Sequence, residues 1–150
     1  MEEIKIREVC GGDRGEWLRM RVALWAGHAV EELEGEMEEW LRGGEGKVFV
    51  AERCDGRLCG FLEAAVRPCD VNGTVGRIGY VEGWYVDADV REQGIGRLLV
   101  EETERWAAEQ GCRELWSDAE IANELSQAAH GALGFLEVGR IVHYRKRVGN

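Results

Sequence analysis

The sequence predicts an α/β protein, in which a central mixed sheet is flanked by helices on both faces. Strand-like segments and segments with helical periodicity follow one another in the order β-α-α-β-β-β-α-β-α-β. The turn residues Asp55-Gly56 separate two of the strand-like segments, as they would in a β-hairpin. A length of 150 residues fits one domain, so residues 1–150 are expected to form a single domain.

The first strand and the first two helices are predicted from the spacing of apolar residues. Ile4 and Ile6 alternate with charged residues, which is typical of a half-buried strand. Asp13 is a suitable N-cap, and a helix is expected to run from there to about Ala26. A second helix is expected over Val30–Leu41, because its apolar residues fall on one face.

Three further strands are predicted in the middle of the chain. Lys47–Arg53 and Leu58–Val66 are expected to pair as the hairpin. Residues Pro68–Arg77 are expected to form a loop. Ile78–Val86 is a strongly apolar strand that leads into a segment containing two glycines.

The C-terminal third is predicted to contain two helices and two strands. A long helix over Arg97–Gln110 is followed by a short strand over Glu114–Ser117. A helix over Glu124–Leu133 stops at a glycine, and Val138–Val148 is expected to be the last strand of the sheet.

The composition is acidic, with 29 Asp and Glu residues, 19 Lys and Arg residues and a formal net charge of −10 at pH 7. Nucleic acid is therefore an unfavourable partner, because its phosphates need a basic protein face. The charge is compatible with a cationic substrate, and it is equally compatible with a role in solubility alone.

The cysteines and the hydropathy indicate the cellular compartment. The five cysteines are an odd number and include no Cys-x-x-Cys pair, so neither a disulfide framework nor a metal site is expected. No apolar run approaches the ~18 residues of a membrane span, and the N-terminus lacks the features of a signal peptide. We expect a cytoplasmic protein with reduced thiols and no membrane partner.

The segment between the strand Ile78–Val86 and the long helix has the features of a phosphate-binding loop. Gly94 and Gly96 lack a Cβ, so a phosphate group can approach the backbone closely. The N–H groups of residues 93–97 would point toward that phosphate, with the helix dipole behind them. A Gly-x-Gly at a helix start is common, so flanking sequence is needed to interpret it.

Two motifs resemble the GCN5-related N-acetyltransferases, the GNAT family. Arg91, Gly94 and Gly96 form an Arg-x-x-Gly-x-Gly that resembles the family's pyrophosphate loop. His130-Gly-Ala-Leu-Gly-Phe, with Asn123 seven residues before it, resembles the family's C-terminal Tyr-x-x-Leu-Gly-Phe. The resemblance covers nearly the whole chain and implies the GNAT fold and acetyl-CoA as cosubstrate. The cofactor-binding residues that it implies are Trp84, Tyr85, Val86, Arg91, Glu92, Gln93, Gly94, Ile95, Gly96, Arg97, Asn123 and His130.

His130 stands where the family has a Tyr that often protonates the leaving thiolate. A neutral imidazole could hydrogen-bond the sulfur, and an imidazolium could donate a proton to it. A histidine that only packs on an amphipathic helix is the alternative.

Four separated segments resemble the aminoglycoside 6′-N-acetyltransferases within the GNAT family. They are Leu24–His28, Arg67–Gly73, Tyr80–Val86 and Ser117–Ala119. The resemblance implies that the chain transfers an acetyl group from acetyl-CoA to the 6′-amino group of an aminoglycoside antibiotic, which gives resistance. It also implies a homodimer, because members of this group often pair through their C-terminal strands.

Glu82 and Asp118 are the expected catalytic and substrate-binding carboxylates. Aminoglycosides are polycations, so their site needs anionic side chains, and the acceptor ammonium must lose a proton before it attacks. Both carboxylates are expected to face one cleft where two neighbouring strands separate. The alternatives are an edge carboxylate paired with a surface arginine for Glu82, and a helix cap for Asp118. By resemblance, Trp25, Asp70 and Glu137 also contact the substrate.

Other functions stay open at this point. The chain could be a GNAT enzyme for a polyamine or a protein N-terminus, or a CoA-binding module without activity. No Ser-His-Asp arrangement is visible, and no cysteine accompanies a histidine in a motif. Direct attack within a ternary complex is therefore expected, rather than a covalent acyl-enzyme.

Overall fold

The strands form one mixed sheet. The computed structural model of the chain describes residues 2–71 and 74–149, with all of their side chains except those of residues 70, 71, 74 and 75. The strands in this part are β1 (Lys5–Glu8), β2 (Gly46–Glu52), β3 (Leu58–Val71), β4 (Thr74–Val86) and β5 (Leu115–Trp116). They lie in the order β1-β2-β3-β4-β5, antiparallel except for the parallel pair β4–β5. The mixed sheet confirms the predicted fold class.

The helices begin and end close to the predicted positions. They are α1 (Arg14–Leu24), α2 (Val30–Leu41), α3 (Ile95–Glu109) and α4 (Glu124–Ala132). The chain divides after Asp118 into two compact units, and α4 belongs to the second. None of the described helices has both the length and the apolar content that a bilayer crossing requires.

The helices α1 and α2 cover one face of the sheet. Trp17 and Met20 of α1 and Met37 of α2 pack on Val50 and Phe61 of the central hairpin. Each of these side chains is at most 2% exposed. Complete burial of such a side chain contributes about 1.5–3 kcal/mol, so this cluster anchors both helices to the sheet.

The helix α3 covers the opposite face. Leu99 of α3 lies 3.3 Å from the position that a Cβ on Gly60 would take, and Ala107 lies 3.1 Å from the corresponding position on Gly79. The two glycines therefore let α3 approach the strands closely. Helices on both faces are what the element order predicts.

The prediction of a loop over Pro68–Arg77 is wrong at both ends. The strand β3 continues to Val71, β4 begins at Thr74, and Pro68 pairs with Arg77. The pairing of β2 with β3 ends at Ala65, so the extension is a two-stranded ribbon. Proline is tolerated there because the strand has only one neighbour, and its missing N–H leaves no gap in a second ladder.

Asp13 precedes α1 but does not cap it with its side chain. Its carboxylate instead accepts hydrogen bonds from both terminal nitrogens of Arg7, at 2.8 and 2.9 Å, and from the Cys10 N–H. The helix ends at Leu24, two residues before the predicted end. The Asp13 carboxylate binds Arg7 instead of capping α1 because hydrogen bonds from a charged, bidentate guanidinium are stronger than those from neutral backbone amides.

The predicted last strand over Val138–Val148 is not formed. In the second unit, the described residues after α4 belong to no helix or strand. Val138, Ile141 and Tyr144 are 73–92% exposed. A strand is stable only beside a partner that completes its backbone hydrogen bonds, and this segment has its apolar side chains in solvent instead.

Candidate active site

The strand β5, which is parallel to β4, ends well before β4 does. They pair at Gly79 and Tyr80, and β5 stops at Trp116. The strand β4 continues to Val86, so its backbone groups over residues 81–86 extend beyond the ladder with β5. Trp84, Tyr85 and Val86 therefore lie on a part of β4 that has no ladder with β5.

The loop after β4 leads into the N-terminus of α3. Gly94 has a φ of +84°, in the left-handed region that favours glycine. A Cβ on Gly96 would lie 3.1 Å from the Trp84 ring, so the indole lies directly against the first helical turn. The first N–H groups of an α-helix have no acceptor within the helix, and together with the dipole they form an anion site.

The rest of the loop is charged and exposed. The Arg91 Nε donates to the Val86 carbonyl at 2.8 Å, and its guanidinium lies 5.8 Å from the centroid of the Tyr85 ring. Glu92 has a φ of +64°, a conformation that costs a residue with a Cβ about 1–2 kcal/mol. Ile95 is buried and fixes the start of the helix. The exposed residues of the loop are Arg91, Glu92, Gln93, Gly94 and Arg97.

The first residue of the loop, Asp87, is held by two arginines. Arg19 of α1 donates to both carboxylate oxygens of Asp87, at 3.0 and 3.1 Å, and also to the Leu58 carbonyl. Arg53 reaches Asp87 at 3.5 Å and Asp89 at 2.8 Å. Since Asp87 is only 9% exposed, these contacts fix the point at which the loop leaves the sheet.

A cleft of about 400 Å³ opens on the α1–α2 face of the sheet. Trp25 and Trp40 are the aromatic side chains in its walls. Five glutamates are among its lining residues: Glu36, Glu39, Glu45, Glu63 and Glu82. Such a concentration of carboxylates beside aromatic rings favours a polycation with apolar faces.

The cleft floor contains a buried ion pair. Arg21 of α1 donates to the two oxygens of Glu63 at 2.7 and 2.9 Å, and both side chains are 1% exposed. Arg21 also donates to the Leu33 carbonyl in α2, and the Trp17 indole donates to Glu63 at 2.9 Å. Burial opposes the charge of Arg21, but its hydrogen bonds to Glu63 raise its pKa above the ordinary range. The charge of Arg21 thus compensates that of the buried Glu63. Glu36, Glu45 and Glu82 also have an arginine partner, but each of these carboxylates is at least 29% exposed and stays accessible at the cleft.

Trp25, a predicted substrate contact, is one of the residues that line the cleft. One of its ring atoms would lie 2.6 Å from a Cβ on Gly83, so the indole packs closely against β4 where a glycine leaves room. Its ring centroid is 6.1 Å from that of Phe61 and 4.6 Å from the Arg21 guanidinium. Trp25 is therefore held rigidly, with one edge in the core and one at the cleft.

Glu82 and Asp118 are connected through two further side chains, and the four form what we call the Tyr80 cluster. The Tyr80 hydroxyl donates to Asp118 at 2.5 Å, and the Arg67 guanidinium lies 3.8 Å from the Tyr80 ring centroid. Arg67 also forms an ion pair with Glu82. Burial and the Asp118 hydrogen bond raise the pKa of Tyr80 to about 12, so the phenol stays a proton donor.

The contacts of Glu82 and Asp118 can be compared with the alternatives left open by the sequence. Glu82 does pair with an arginine, Arg67, and it also lines the cleft. Asp118 is bound by Tyr80, while the N-cap of α4 is Asn123, whose side chain accepts from the Ser126 N–H at 3.0 Å. Asp118 is therefore not a helix cap.

The second unit contains three of the predicted site residues, Asn123, His130 and Glu137. The His130 Nδ1 lies 2.7 Å from the Ser126 carbonyl, which can only accept, so Nδ1 carries a proton. The imidazole also meets the Phe135 ring edge-on at 5.1 Å. Glu137 is exposed and accepts from Arg140 at 2.5 Å, a contact that lowers the pKa of its carboxyl.

Two further expectations from the sequence concern Asp70 and metal ions. The Asp70 side chain lies outside the part of the chain that the structure describes. Among the described residues, no three His, Cys, Asp or Glu side chains are grouped as a metal ion would require.

Comparison with known proteins gives a consistent result. Residues 16–135 match the family model described as the acetyltransferase (GNAT) family. An aminoglycoside N(6′)-acetyltransferase type 1 of Klebsiella aerogenes is 38% identical over 144 residues, 94% of this chain and 95% of the relative. A protein of the same name from Serratia marcescens is 41% identical over 134 residues, 89% of this chain and 92% of the relative.

Solved structures agree with these relatives. AAC(6′)-Iy in complex with the bisubstrate analogue CoA-S-monomethyl-acetylneamine matches with a TM-score of 0.87 and 34% identity, over 97% of this chain and 99% of that one. The aminoglycoside 6′-N-acetyltransferase AAC(6′)-Ih from Acinetobacter baumannii matches with a TM-score of 0.88 and 32% identity, over 98% of this chain and 100% of that one.

Proposed function

The chain belongs to the GNAT acetyltransferase family, and we propose that it transfers the acetyl group of acetyl-CoA to the 6′-amino group of aminoglycoside antibiotics. The observation that carries the substrate class is the cleft lined by five glutamates, one of them neutralised by Arg21. An aminoglycoside has several ammonium groups on sugar rings with apolar faces, and this cleft offers carboxylates beside Trp25 and Trp40.

The loop between β4 and α3 fits the diphosphate of acetyl-CoA. The backbone amides of residues 93–97 and the side chains of Arg91 and Arg97 supply donors and positive charge. Gly94 leaves open space for close approach, whereas the missing Cβ of Gly96 makes room for the Trp84 indole instead of for the phosphate that the sequence suggested. The edge of β4 over Trp84, Tyr85 and Val86 offers backbone groups to the pantetheine arm. Acetyl-CoA supplies an activated thioester, so the protein needs only to orient the two substrates and manage a proton.

Glu82 and Asp118 are the groups proposed to bind the acceptor amine and to take its proton. The amine is protonated in solution and must lose a proton before its lone pair can attack a carbonyl. Glu82 can receive this proton directly or through water, because it lies at the cleft. Asp118, bound to the Tyr80 hydroxyl, adds negative charge that keeps the attacking nitrogen and its neighbours in position. Trp25, Asp70 and Glu137 are proposed as further substrate contacts.

His130 and Asn123 are proposed to contact CoA. Because the Nδ1 proton of His130 donates to the Ser126 carbonyl, the neutral ring presents only an acceptor at Nε2. His130 could therefore donate a proton to the thiolate only as an imidazolium. A thiol with a reference pKa of about 8.5, the value for cysteine, gives a thiolate that is a good leaving group. The transfer therefore does not depend on His130 as an acid.

We also propose an oligomeric state and a cellular location for the chain. The chain forms a homodimer, which the exposed apolar residues of its C-terminal segment support, since such a segment is stabilised by pairing with a second chain. It acts in the cytoplasm, which the five unpaired thiols support, since such thiols persist in a reducing compartment.

The function is tested by measuring CoA release with a matched pair of acceptors. Neomycin has a 6′-amine, and paromomycin has a hydroxyl at that position and otherwise the same structure. Acetylation of neomycin, with no turnover of paromomycin, is the expected result. Turnover of spermidine without any turnover of neomycin or kanamycin would replace the proposal with a polyamine substrate.

A further inference from the structure

Arg67 lies on two groups that together recognise a protonated amine. Its guanidinium forms an ion pair with Glu82, and it lies 3.8 Å from the centroid of the Tyr80 ring. A carboxylate and the face of an aromatic ring are the usual partners of an ammonium group. We propose that Arg67 is an internal cation, which occupies the place of the acceptor ammonium and must be displaced by the substrate.

The placement of these side chains follows from the strand register. Ala65 of β3 lies opposite Tyr80 of β4, and Arg67 follows two residues later on the same face. The register of β3 and β4 shifts between Glu63 and Ala64, so Glu82 has no residue directly opposite it. Glu82 can therefore turn both toward Arg67 and toward the cleft, where it is a lining residue.

Arg67 can leave this position at a low cost. Its side chain is 45% exposed and that of Glu82 is 29% exposed, so the pair is screened by solvent. Arg67 lies on the ribbon beyond the end of β2, where the strand has a neighbour on one side only. Its long side chain can swing into water without disturbing the buried residues of the core.

An internal cation makes the site selective for polycations. A substrate with one positive charge gains at Glu82 what the protein loses when Arg67 is released, so its net gain is small. A substrate with several ammonium groups gains further contacts with Glu36, Glu39 and Glu45, which line the same cleft. Arg67 is thus a specificity-determining residue, and this role rests on the proposed function.

The test compares Arg67→Gln with Arg57→Gln in steady-state kinetics with kanamycin and acetyl-CoA. Arg57 lies in the β2–β3 turn, where it pairs with Asp55 and is 70% exposed, so its replacement removes the same charge far from the cluster. Arg67→Gln is expected to lower the KM for kanamycin about fivefold, or about 1 kcal/mol, with the KM for acetyl-CoA unchanged. Arg67→Lys keeps a cation and should restore a KM near that of the wild type.

The outcomes separate this proposal from the function on which it rests. An unchanged or higher KM for kanamycin in Arg67→Gln, with active wild-type protein, overturns the internal cation alone and shows that Arg67 holds Glu82 in place. A fivefold decrease that also occurs in Arg57→Gln is an effect of net charge and likewise overturns it. A wild-type protein that acetylates no aminoglycoside overturns both proposals.

Discussion

Replacing Arg21 by methionine removes the guanidinium that neutralises Glu63 under the cleft. Methionine retains much of the apolar volume, but Glu63 then keeps only the Trp17 indole as a donor from this set. Removing one partner of a buried ion pair costs about 3–5 kcal/mol, because a charge is left without compensation. Since whole domains are stable by about 5–15 kcal/mol, Arg21→Met is expected to lose a large share of the free energy of unfolding.

Urea unfolding followed by circular dichroism measures this loss. Arg14→Met is the matched control, because Arg14 lies in the same helix in an ion pair with Glu38 that is about half exposed. The control is expected to lose at most about 1 kcal/mol. The double variant Arg21→Met, Glu63→Leu is expected to lose less than Arg21→Met alone, because it buries no unpaired charge.

The pH dependence provides an independent check. Burial already raises the pKa of Glu63 above its ordinary value of 4.5 in the wild type, and removing Arg21 raises it further because the Arg21 hydrogen bond and charge lower it. The native state then binds the proton more tightly than the unfolded state, so stability present at low pH is lost as the pH rises through the native pKa. Arg21→Met should therefore be closer to the wild type at about pH 5 than at about pH 8. A loss under about 1 kcal/mol at both pH values would refute the reasoning.

Three further predictions concern the proposed active site. Gly96→Asp should weaken acetyl-CoA binding at least about tenfold by calorimetry, through a clash with Trp84 and charge repulsion, while Gly15→Asp, where a Cβ meets nothing within 4 Å, binds normally; normal binding by both variants would place the acetyl-CoA site elsewhere. Asp118→Asn should lower kcat/KM for kanamycin about 10²–10⁴-fold with unchanged acetyl-CoA affinity, and wild-type kinetics would remove its catalytic role. Glu92→Gly should raise the melting temperature slightly and tighten acetyl-CoA binding, since it relieves a φ of +64° and removes a negative charge; weaker binding would contradict this.

The parts of the site that lie in one short segment were predictable from the sequence. The loop from Arg91 to Arg97 could be located because its glycines, helix start and preceding strand are contiguous. Trp25 and Glu82 could be located because their neighbours resemble a known group, and the structure places both at the cleft.

The residues that depend on register and helix packing were missed. Glu36 and Glu39 look in the sequence like the solvent face of an amphipathic helix, and only the position of α2 above the sheet turns them toward a cleft. Arg67 and Tyr80 meet because the register places Ala65 opposite Tyr80 and Arg67 opposite Ile78. The periodicity of apolar residues indicates which face of a helix or strand a residue occupies, but it does not indicate which residue of a distant segment lies opposite it.

The predictions of a loop over Pro68–Arg77 and of a last strand over Val138–Val148 are wrong for opposite reasons. The first segment contains a proline, yet it pairs because its partner follows directly in the chain. The second has an apolar pattern, yet within the second unit it has no ladder to join. In both cases the presence or absence of a neighbouring strand outweighs the intrinsic preference of the residues for loop or strand conformation.

The attachment of α2 to the sheet has an evolutionary consequence. Leu33 and Met37 anchor the helix in the core, while Glu36 and Glu39 between and beyond them reach the cleft. Exchanges at such solvent-facing positions usually change stability by less than about 0.5 kcal/mol, so they accumulate under selection without unfolding the protein. The loop that is proposed to bind acetyl-CoA precedes α3, a different helix that covers the other face of the sheet. For the proposed function, point mutations in α2 would therefore change which aminoglycosides a lineage can acetylate, while acetyl-CoA binding stays unchanged.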